Sequence, residues 1–336
     1  MSAVAPLRLG FLGVGWIGRH RMQALLDAGL AEAVAIADPD AACMEEALKA
    51  APGAIRCTGL DDMLAHPLDG VVIATPSAAH AVQSIAVLER GLPVFCQKPL
   101  GRDGAEVRAV VEAARRADRR LGVDLSYRHL AGMDSVHALL REGALGDVHG
   151  VQLVFHNAYG PGKDWFYDRA QAGGGCVIDL GIHLIDLALW LLGNPTVEHV
   201  SSRCFARGRP LRETPDAVED YASARLDLAG GAAIDMSCSW NLPIGIDCEI
   251  GMRIYGTRGG VGLRNVDGSF YDFVIERFDG RQRQQLAGPP DAWGGRAALA
   301  WAEAVRRDRG FDASADGLVE VAEILDRIYG SEQSEV

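Results

Sequence analysis

The first 125 residues alternate between short apolar runs and longer segments with helical periodicity. Apolar runs predict strands, and segments in which apolar residues recur every three or four positions predict helices. The predicted strands are 7–12, 33–37, 70–74, 93–96 and 121–125, and the predicted helices are 17–28, 41–50, 80–90 and 105–117. Strands that alternate with helices indicate βαβ units with right-handed crossovers and a parallel sheet.

The second half of the chain has a different rhythm, in which strands follow one another. Helices are predicted at 133–141, 178–192, 297–306 and 317–329, and strands at 148–155, 197–205, 221–228, 232–240, 249–255 and 270–275. Consecutive strands with glycine-rich turns predict a large open sheet, mostly antiparallel or mixed, with helices on one face. We therefore predict an N-terminal α/β domain at 1–126 and a C-terminal α+β domain at 127–336.

Composition and charge exclude several classes of protein. The 336 residues are 49% hydrophobic and 23% charged, as in ordinary globular proteins, and the net charge of −12 argues against a nucleic-acid or anionic membrane partner. The seven scattered cysteines have no metal-finger spacing, which predicts free thiols in a reducing cytoplasm. The N-terminus shows no signal-peptide pattern, and the apolar stretch 184–192 is too short for a membrane span, so we expect a cytoplasmic protein.

A glycine-rich turn joins the first predicted strand to the first helix. Gly13, Gly15 and Gly18 have the G-x-G-x-x-G spacing, with Trp16 and Ile17 between the second and third glycines. In a dinucleotide-binding loop the first glycine permits the tight turn, the second lets the backbone approach a pyrophosphate, and the third lets the helix pack on the strand. An ordinary glycine turn is the alternative. The placement favours a Rossmann-type domain that binds a dinucleotide.

Asp38 stands where the second predicted strand ends, twenty residues after Gly18. A carboxylate there can accept hydrogen bonds from the adenosine ribose and would repel a 2′-phosphate, which favours NAD over NADP. The alternative is that Asp38 only caps the helix that starts at Ala41.

Lys98 follows a buried strand and precedes Pro99. A lysine at the carboxyl end of a parallel strand faces the ligand crevice, where its ammonium group can polarise a reacting hydroxyl. The alternative is a solvent-facing lysine at a strand end.

Asp179 and His183 are four residues apart on a predicted helix that opens with three glycines, 173–175. This spacing places both on one helical face, where a carboxylate can orient an imidazole that shuttles a proton. Two alternatives compete: His183 as a core histidine, and a metal site that adds Asp186. We expect no metal, because no cysteine or second histidine joins at a fixed spacing. The small glycines would let a ligand approach closely.

Several polar and aromatic residues could line a crevice for a hydroxyl-rich ligand. The candidate substrate-binding residues are Tyr127, Asn157 and Trp165, together with His183. For each of them a purely structural role is the alternative.

Four segments together resemble the glucose–fructose oxidoreductase / inositol dehydrogenase family (Gfo/Idh/MocA), and the resemblance spans nearly the whole chain. They are the glycine turn followed by Arg19 and His20, residues 74–76 with His80, Gln97-Lys98-Pro99, and the glycine-rich segment 173–186. The resemblance implies a Rossmann domain, an α/β domain with an open mixed sheet, and a homodimer or homotetramer formed through that sheet. It also implies that Thr75, Pro76 and His80 belong to a loop beneath the nicotinamide, and that Gln97 and Lys98 adjoin the cofactor.

The resemblance further implies that a secondary alcohol of a sugar or cyclitol is oxidised, or the ketone reduced, with NAD. Lys98 then hydrogen-bonds the reacting hydroxyl, His183 is the general acid/base, and Asp179 aids it. Gln97 departs from the family's usual glutamate, and we hypothesise that this neutral amide stabilises the ammonium form of Lys98 less. The alternatives are an NAD-dependent glycosidase that oxidises its substrate transiently, and a non-catalytic nucleotide-sensing regulator.

Overall fold

The computed structural model describes residues 5–214 and 216–331 of the chain, which form two compact units. The first unit runs to Ser126 and also contains Gly294–Val319. The second unit contains Tyr127–Trp293 and the chain from Glu320 onward. Each unit is described by itself.

The first unit is built on a six-stranded sheet in which all strands are parallel. Its strands, in the spatial order β3-β2-β1-β4-β5-β6, are β1 (Leu7–Leu12), β2 (Ala31–Ala37), β3 (Ile55–Arg56), β4 (Gly70–Ile73), β5 (Val94–Cys96) and β6 (Leu121–Val123). The helices are α1 (Trp16–Asp27), α2 (Ala41–Ala50), α3 (Leu60–Met63), α4 (Ser77–Glu89) and α5 (Gly104–Ala117). This strand order is the Rossmann arrangement, so the predicted N-terminal fold is confirmed.

The second unit is built on a nine-stranded mixed sheet with the order β15-β14-β13-β12-β7-β11-β10-β8-β9. The strands are β7 (Val148–Asn157), β8 (Val197–Ala206), β9 (Arg209–Pro210), β10 (Tyr221–Leu228), β11 (Ala233–Ser239), β12 (Cys248–Gly256), β13 (Gly260–Asn265), β14 (Phe273–Asp279) and β15 (Gln282–Ala287). Only the β7–β11 pair among these described strands is parallel. The helices of this region are α6 (Met133–Arg141), α7 (Arg169–Ala172) and α8 (Ile182–Leu191).

The two faces of the large sheet differ in burial. On the central strand β12, Ile250, Met252 and Ile254 are buried, whereas the alternate residues Gly251 and Arg253 are not. Successive side chains of a strand point to opposite faces, and α8 packs against β7 on the buried side. One face of the sheet therefore belongs to the core, and the other carries polar side chains.

Three strands of this sheet, β9, β13 and β15, are absent from the sequence-based expectation, and β14 is shifted. The region of β13 was interpreted as a glycine turn, because Gly259 and Gly260 are adjacent. β15 has four exposed polar residues in a row and so lacks any apolar alternation. β14 begins at Phe273, whereas the prediction placed a strand at 270–275.

Two helices follow Trp293: α9 (Arg296–Arg307) and α10 (Asp316–Ser331). The apolar face of α9, which includes Trp301, joins the core of the first unit beside Leu9 and Phe95. The sequence-based prediction placed α9 in the C-terminal domain at 127–336, whereas in the structure α9 belongs to the first compact unit. Amphipathicity shows that a helix has an apolar face but not which sheet covers that face.

One helical stretch, Arg169–Leu191, is long and apolar enough to cross a membrane by length and composition alone. In this structure 83% of its most apolar 18-residue segment is buried. That burial is typical of a core helix, as was expected for 184–192.

Candidate active site

The glycine turn of the first unit brings two loops into close contact. Gly13 follows β1 with φ +83°, a left-handed conformation that favours glycine. A Cβ at Gly13 would lie 2.6 Å from the carbonyl carbon and oxygen of Ala74, and a Cβ at Gly18 would lie 2.1 Å from the carbonyl oxygen of Gly13. These two glycines therefore let the β1–α1 loop, the start of α1 and the end of β4 pack together, as the sequence predicted for the first and third glycines.

The backbone N–H groups at the N-terminus of α1 are not capped by a side chain of the helix's own start. Gly15 is the N-cap residue, and within the described part of the chain no side chain caps this end and no acidic residue occupies the first turn. The first backbone N–H groups of a helix lack intrahelical partners and carry a partial positive charge. Trp16 is 59% exposed beside this turn, and Ile17 is half-buried. The cradle thus fits an anionic diphosphate.

Asp38 is half-buried at the end of β2 and holds the glycine turn. Its carboxylate accepts hydrogen bonds from the backbone N–H of Val14 at 2.7 Å and of Asp40 at 2.8 Å. The alternative that Asp38 caps α2 is wrong. Asp40 is the cap, since its carboxylate accepts from the N–H groups of Ala42 and Cys43, and capping requires the residue directly before the helix.

His80 ties two strand-end loops together. It is 1% exposed on α4, and its ring nitrogens lie 2.6 Å from the carbonyl oxygens of Thr75 and Pro99. Burial lowers the pKa of His80, and the two carbonyl groups oppose that effect. Thr75 and Pro76 lie in the loop between β4 and α4, and the hydrogen bond from His80 to the Thr75 carbonyl group holds that loop.

Gln97 and Lys98 follow β5, and the Lys98–Pro99 peptide is cis. Both side chains are half-buried. The Gln97 amide donates to Asp124, whose carboxylate is 1% exposed and also accepts from Arg21 Nε at 2.6 Å. Asp124 therefore supplies the negative charge next to position 97, and sequence reasoning missed it.

In the second unit, Asp179 lies in a π-helical turn, Val177–Gly181, that leads directly into α8. The helix predicted over 178–192 therefore begins with a π turn, and its α-helical part is Ile182–Leu191. A π turn advances its backbone hydrogen bonds by one extra residue and is frequent at functional sites. Asp179 and His183 remain on the same continuous helical segment, and both are half-buried.

Two aromatic residues contact this pair. Trp240 Nε1 donates to Asp179 Oδ2 at 3.1 Å. The Tyr127 ring lies 5.1 Å from the His183 ring, centroid to centroid. Tyr127 is 5% exposed, and burial raises the pKa of its hydroxyl well above the usual range. The structure thus brings the predicted Tyr127 to His183 and adds Trp240, which the sequence analysis did not select.

Asp186 is committed to a different partner. It is 1% exposed, and its two carboxylate oxygens accept from Nε (2.7 Å) and an amino group of Arg128 in a bidentate pair. Burial raises the pKa of Asp186, and the Arg128 guanidinium opposes that effect. A metal site formed by Asp179, His183 and Asp186 would therefore lack its third ligand, because both Asp186 oxygens are bound to Arg128.

The other candidate substrate residues lie in the second unit at strand and loop ends. Asn157 is the last residue of β7 and is half-buried. Trp165 is half-buried in a short 3₁₀ turn and stacks on Phe166 with centroids 3.8 Å apart. Lys98 belongs to the first unit, whereas Asp179 and His183 belong to the second.

The chain matches two family models that together cover most of it. Residues 7–125 match the "oxidoreductase family, NAD-binding Rossmann fold" model, and residues 133–262 match the "GFO/IDH/MocA C-terminal domain". The rhizopine catabolism protein MocA of Rhizobium meliloti is 31% identical over 255 residues, which are 75% of this chain and 76% of that protein. Inositol 2-dehydrogenase 4 of Saccharopolyspora erythraea is 30% identical over 89% of this chain and 92% of its own length.

Solved structures agree with these relatives. The crystal structure of GenD2 from gentamicin A biosynthesis, in complex with NAD, has a TM-score of 0.81 and 25% identity, and it covers 100% of this chain and 97% of its own. NAD-binding Rossmann domains have a glycine turn after the first strand, an open helix start and an acidic residue at the end of the second strand. This chain has all three features. The chain belongs to the GFO/IDH/MocA family of oxidoreductases, which have an NAD-binding Rossmann domain and act on CH–OH groups.

Proposed function

We propose that this protein transfers hydride between NAD and a secondary alcohol of a sugar or cyclitol. The observation that supports this most is the arrangement around α8, where Trp240 holds the carboxylate of Asp179 and Tyr127 packs on His183. A carboxylate and an imidazole held by aromatic neighbours suit proton transfer at a hydroxyl-bearing carbon. Inositol 2-dehydrogenases among the relatives act on a polyhydroxylated ring, which supports this substrate class.

The glycine turn would hold the diphosphate of the cofactor, through Gly13, Gly15, Gly18 and the first N–H groups of α1. We propose that Asp38 binds the adenosine ribose hydroxyls. A 2′-phosphate would meet this carboxylate and be repelled, so NAD is favoured over NADP. When bound, the nicotinamide ring supplies the hydride acceptor or donor.

We propose that the chemistry at the alcohol is divided among three residues. The Lys98 ammonium donates a hydrogen bond to the reacting oxygen and stabilises negative charge that develops on it. His183 takes the hydroxyl proton as the carbon is oxidised, and returns a proton in the reverse direction. Asp179 stabilises the imidazolium that forms, and Trp240 keeps its carboxylate in place. Asn157 and Trp165 contact the remaining hydroxyl groups or the ring face of the substrate.

We also propose a homodimer or homotetramer that covers the polar face of the nine-stranded sheet. Gln152, Asp235, Arg225 and Arg253 lie in one cross-strand row on that face. This row carries both positive and negative side chains. In a dimer with a two-fold axis, the positive side chains of one copy can therefore face the negative side chains of the other. The seven cysteines are free thiols, in agreement with a cytoplasmic location. Light scattering of the purified protein would show a monomer if the oligomer proposal is wrong.

Absorbance at 340 nm tests the activity directly. The protein is mixed with NAD or NADP and a panel of inositols, aldoses and sugar acids, and we expect NADH formation from a few related polyols. His183→Asn should lower kcat by about 10²- to 10⁴-fold while leaving the affinity for NAD unchanged. His199→Asn, an exposed histidine on β8, is the matched control.

The alternatives give different results in the same assay. A glycosidase would hydrolyse a glycoside in the presence of NAD without net NADH, and a sensing regulator would bind NAD and turn over nothing. Unchanged turnover in His183→Asn would remove this residue from the mechanism.

A further inference from the structure

Glu219 is a buried carboxylate that directly precedes Asp220 and the start of β10. It is 1% exposed, and both of its carboxylate oxygens accept hydrogen bonds. They accept hydrogen bonds from the backbone N–H of Gly175 at 2.9 and 3.0 Å, from the N–H of Val177 at 2.9 Å, and from the Tyr329 hydroxyl at 2.9 Å. Gly175 and Val177 open the π turn that carries Asp179.

The glycines of this segment are explained by the same contacts. The carbonyl oxygen of Glu219 accepts from the Cys176 N–H at 3.0 Å, and a Cβ at Gly175 would lie 1.9 Å from that oxygen. A Cβ at Gly174 would lie 2.1 Å from the Tyr329 hydroxyl oxygen. The expectation that these glycines leave room for a ligand is therefore wrong at 174 and 175, where Glu219 and Tyr329 fill the space.

The dipeptide Glu219-Asp220 reaches Asp179 by two routes. Along the main chain, Glu219 holds Gly175, whose carbonyl oxygen accepts from the Asp179 N–H at 3.0 Å. Through side chains, the Asp220 carbonyl oxygen accepts from the Trp240 N–H at 2.7 Å, and the Trp240 indole donates to the Asp179 carboxylate. One short segment thus fixes both the backbone and the carboxylate of Asp179.

Burying this charge is costly. Burial raises the pKa of Glu219, and the hydrogen bonds from Val177, Tyr329 and Gly175 oppose that effect. Negative charge is favourable at the start of a helical segment, where unpaired N–H groups converge. An apolar residue could fill the same volume without the desolvation cost, but it could not orient three donors at once.

We propose that Glu219 and Tyr329 are positioning residues, which hold the π turn so that Asp179 and His183 keep the geometry for proton transfer. This inference rests on the proposed function, in which those two residues act at the alcohol. A displacement of about 1 Å in a catalytic group can cost about 10²-fold in rate.

Kinetics of the full-length protein test the proposal. Glu219→Gln keeps the shape but removes the negative charge and replaces one of the two acceptor oxygens by an NH2 group, which cannot accept from the Gly175 N–H. We expect kcat to fall by about 10- to 100-fold. Tyr329→Phe removes one donor and should lower kcat by a few-fold. In both variants the KM for NAD should stay unchanged. The isotope effect on kcat, measured with a substrate deuterated at the carbon that is oxidised, should rise, because only the chemical step is slowed. Glu198→Gln, an exposed glutamate on β8, is the matched control.

Hydrogen exchange gives a readout that does not depend on turnover. Amides of residues 175–183 should lose protection in Glu219→Gln and Tyr329→Phe, relative to the wild type and the control, while the strands of the sheet keep theirs. Unchanged protection overturns the proposal, as does lost protection with unchanged kcat. If the wild type oxidises no alcohol, the proposed function fails, and the exchange data alone decide whether Glu219 holds the π turn. If Glu219→Gln does not fold, Tyr329→Phe decides by the same criteria.

Discussion

Replacing Gln97 by glutamate would put two carboxylates side by side where the structure has one. The Gln97 amide donates to Asp124, which is 1% exposed and is also paired with Arg21 and hydrogen-bonded by Ser126. A glutamate at position 97 has the same shape but no donor. The neutral amide, which the sequence marked as a departure, is therefore matched to Asp124.

The magnitude follows from two terms. The lost hydrogen bond to a charged acceptor is worth about 1.5 to 3 kcal/mol. Two like charges about 4 Å apart repel by about 4 kcal/mol at an effective dielectric constant near 20, and the Arg21 guanidinium offsets part of this. We expect Gln97→Glu to lower the free energy of unfolding by about 3 to 5 kcal/mol, the range for a disrupted buried charge pair.

A double-mutant cycle separates charge from shape. Gln97→Glu/Asp124→Asn exchanges the amide and the carboxylate, so one donor and one acceptor remain between the two positions, while Arg21 faces an amide oxygen at position 124 instead of a carboxylate. Relative to the sum of the single variants it should recover about 2 to 3 kcal/mol. Gln97→Met is the neutral control, in which only the hydrogen bond is lost, at about 1 to 3 kcal/mol.

Urea denaturation of the NAD-free proteins near pH 8 measures these differences. The reasoning is refuted if Gln97→Glu is within 1 kcal/mol of the wild type, or if the exchanged variant is no more stable than the two single changes predict together. The pH–rate profile of the exchanged variant also tests the earlier hypothesis on Lys98, because it moves the negative charge to position 97.

Three further changes test other parts of the structure. Gly18→Ala should weaken NAD binding about tenfold in a fluorescence titration, because its Cβ would meet the Gly13 carbonyl oxygen, whereas Gly53→Ala, which faces open space, should not. Trp301→Ala should lower the free energy of unfolding by about 3 to 5 kcal/mol in urea denaturation, because its indole, which is 5% exposed, fills part of the core of the first unit. A smaller loss would mean that neighbouring side chains move in to fill the cavity. Burial lowers the pKa of His156, so the wild type should lose stability relative to His156→Gln as the pH falls below about 6.5, by at most about 1.4 kcal/mol per pH unit; equal pH slopes in urea unfolding would contradict this.

The elements that local pattern predicted well are those whose cause is local. Strand β1 and helix α2 have the predicted bounds, because an apolar run and a helical repeat are properties of the segment itself. β15 was missed because an edge strand with polar residues on both faces has no such pattern. Its pairing with β14 depends on a neighbour that supplies the backbone partners.

The same division holds for the candidate site. Gly13, Gly18 and Asp38 could be selected because the spacing of the turn fixes their places at strand ends. Asp124 and Trp240 could not, because each acts on a residue far away in the chain. Asp124 lies 27 residues from Gln97, and Trp240 lies 61 residues from Asp179.

The sequence by itself determined the alternation of strands and helices, the glycine turn, and the presence of Lys98, Asp179 and His183 in segments that resemble motifs of the family. Only the tertiary structure decided which partner each buried carboxylate has. It pairs Asp186 with Arg128, Asp124 with Arg21, and Glu219 with the start of the π turn. The physical reason is that a buried charge must find its donors among whatever the packing of distant segments brings beside it, and no local spacing encodes that.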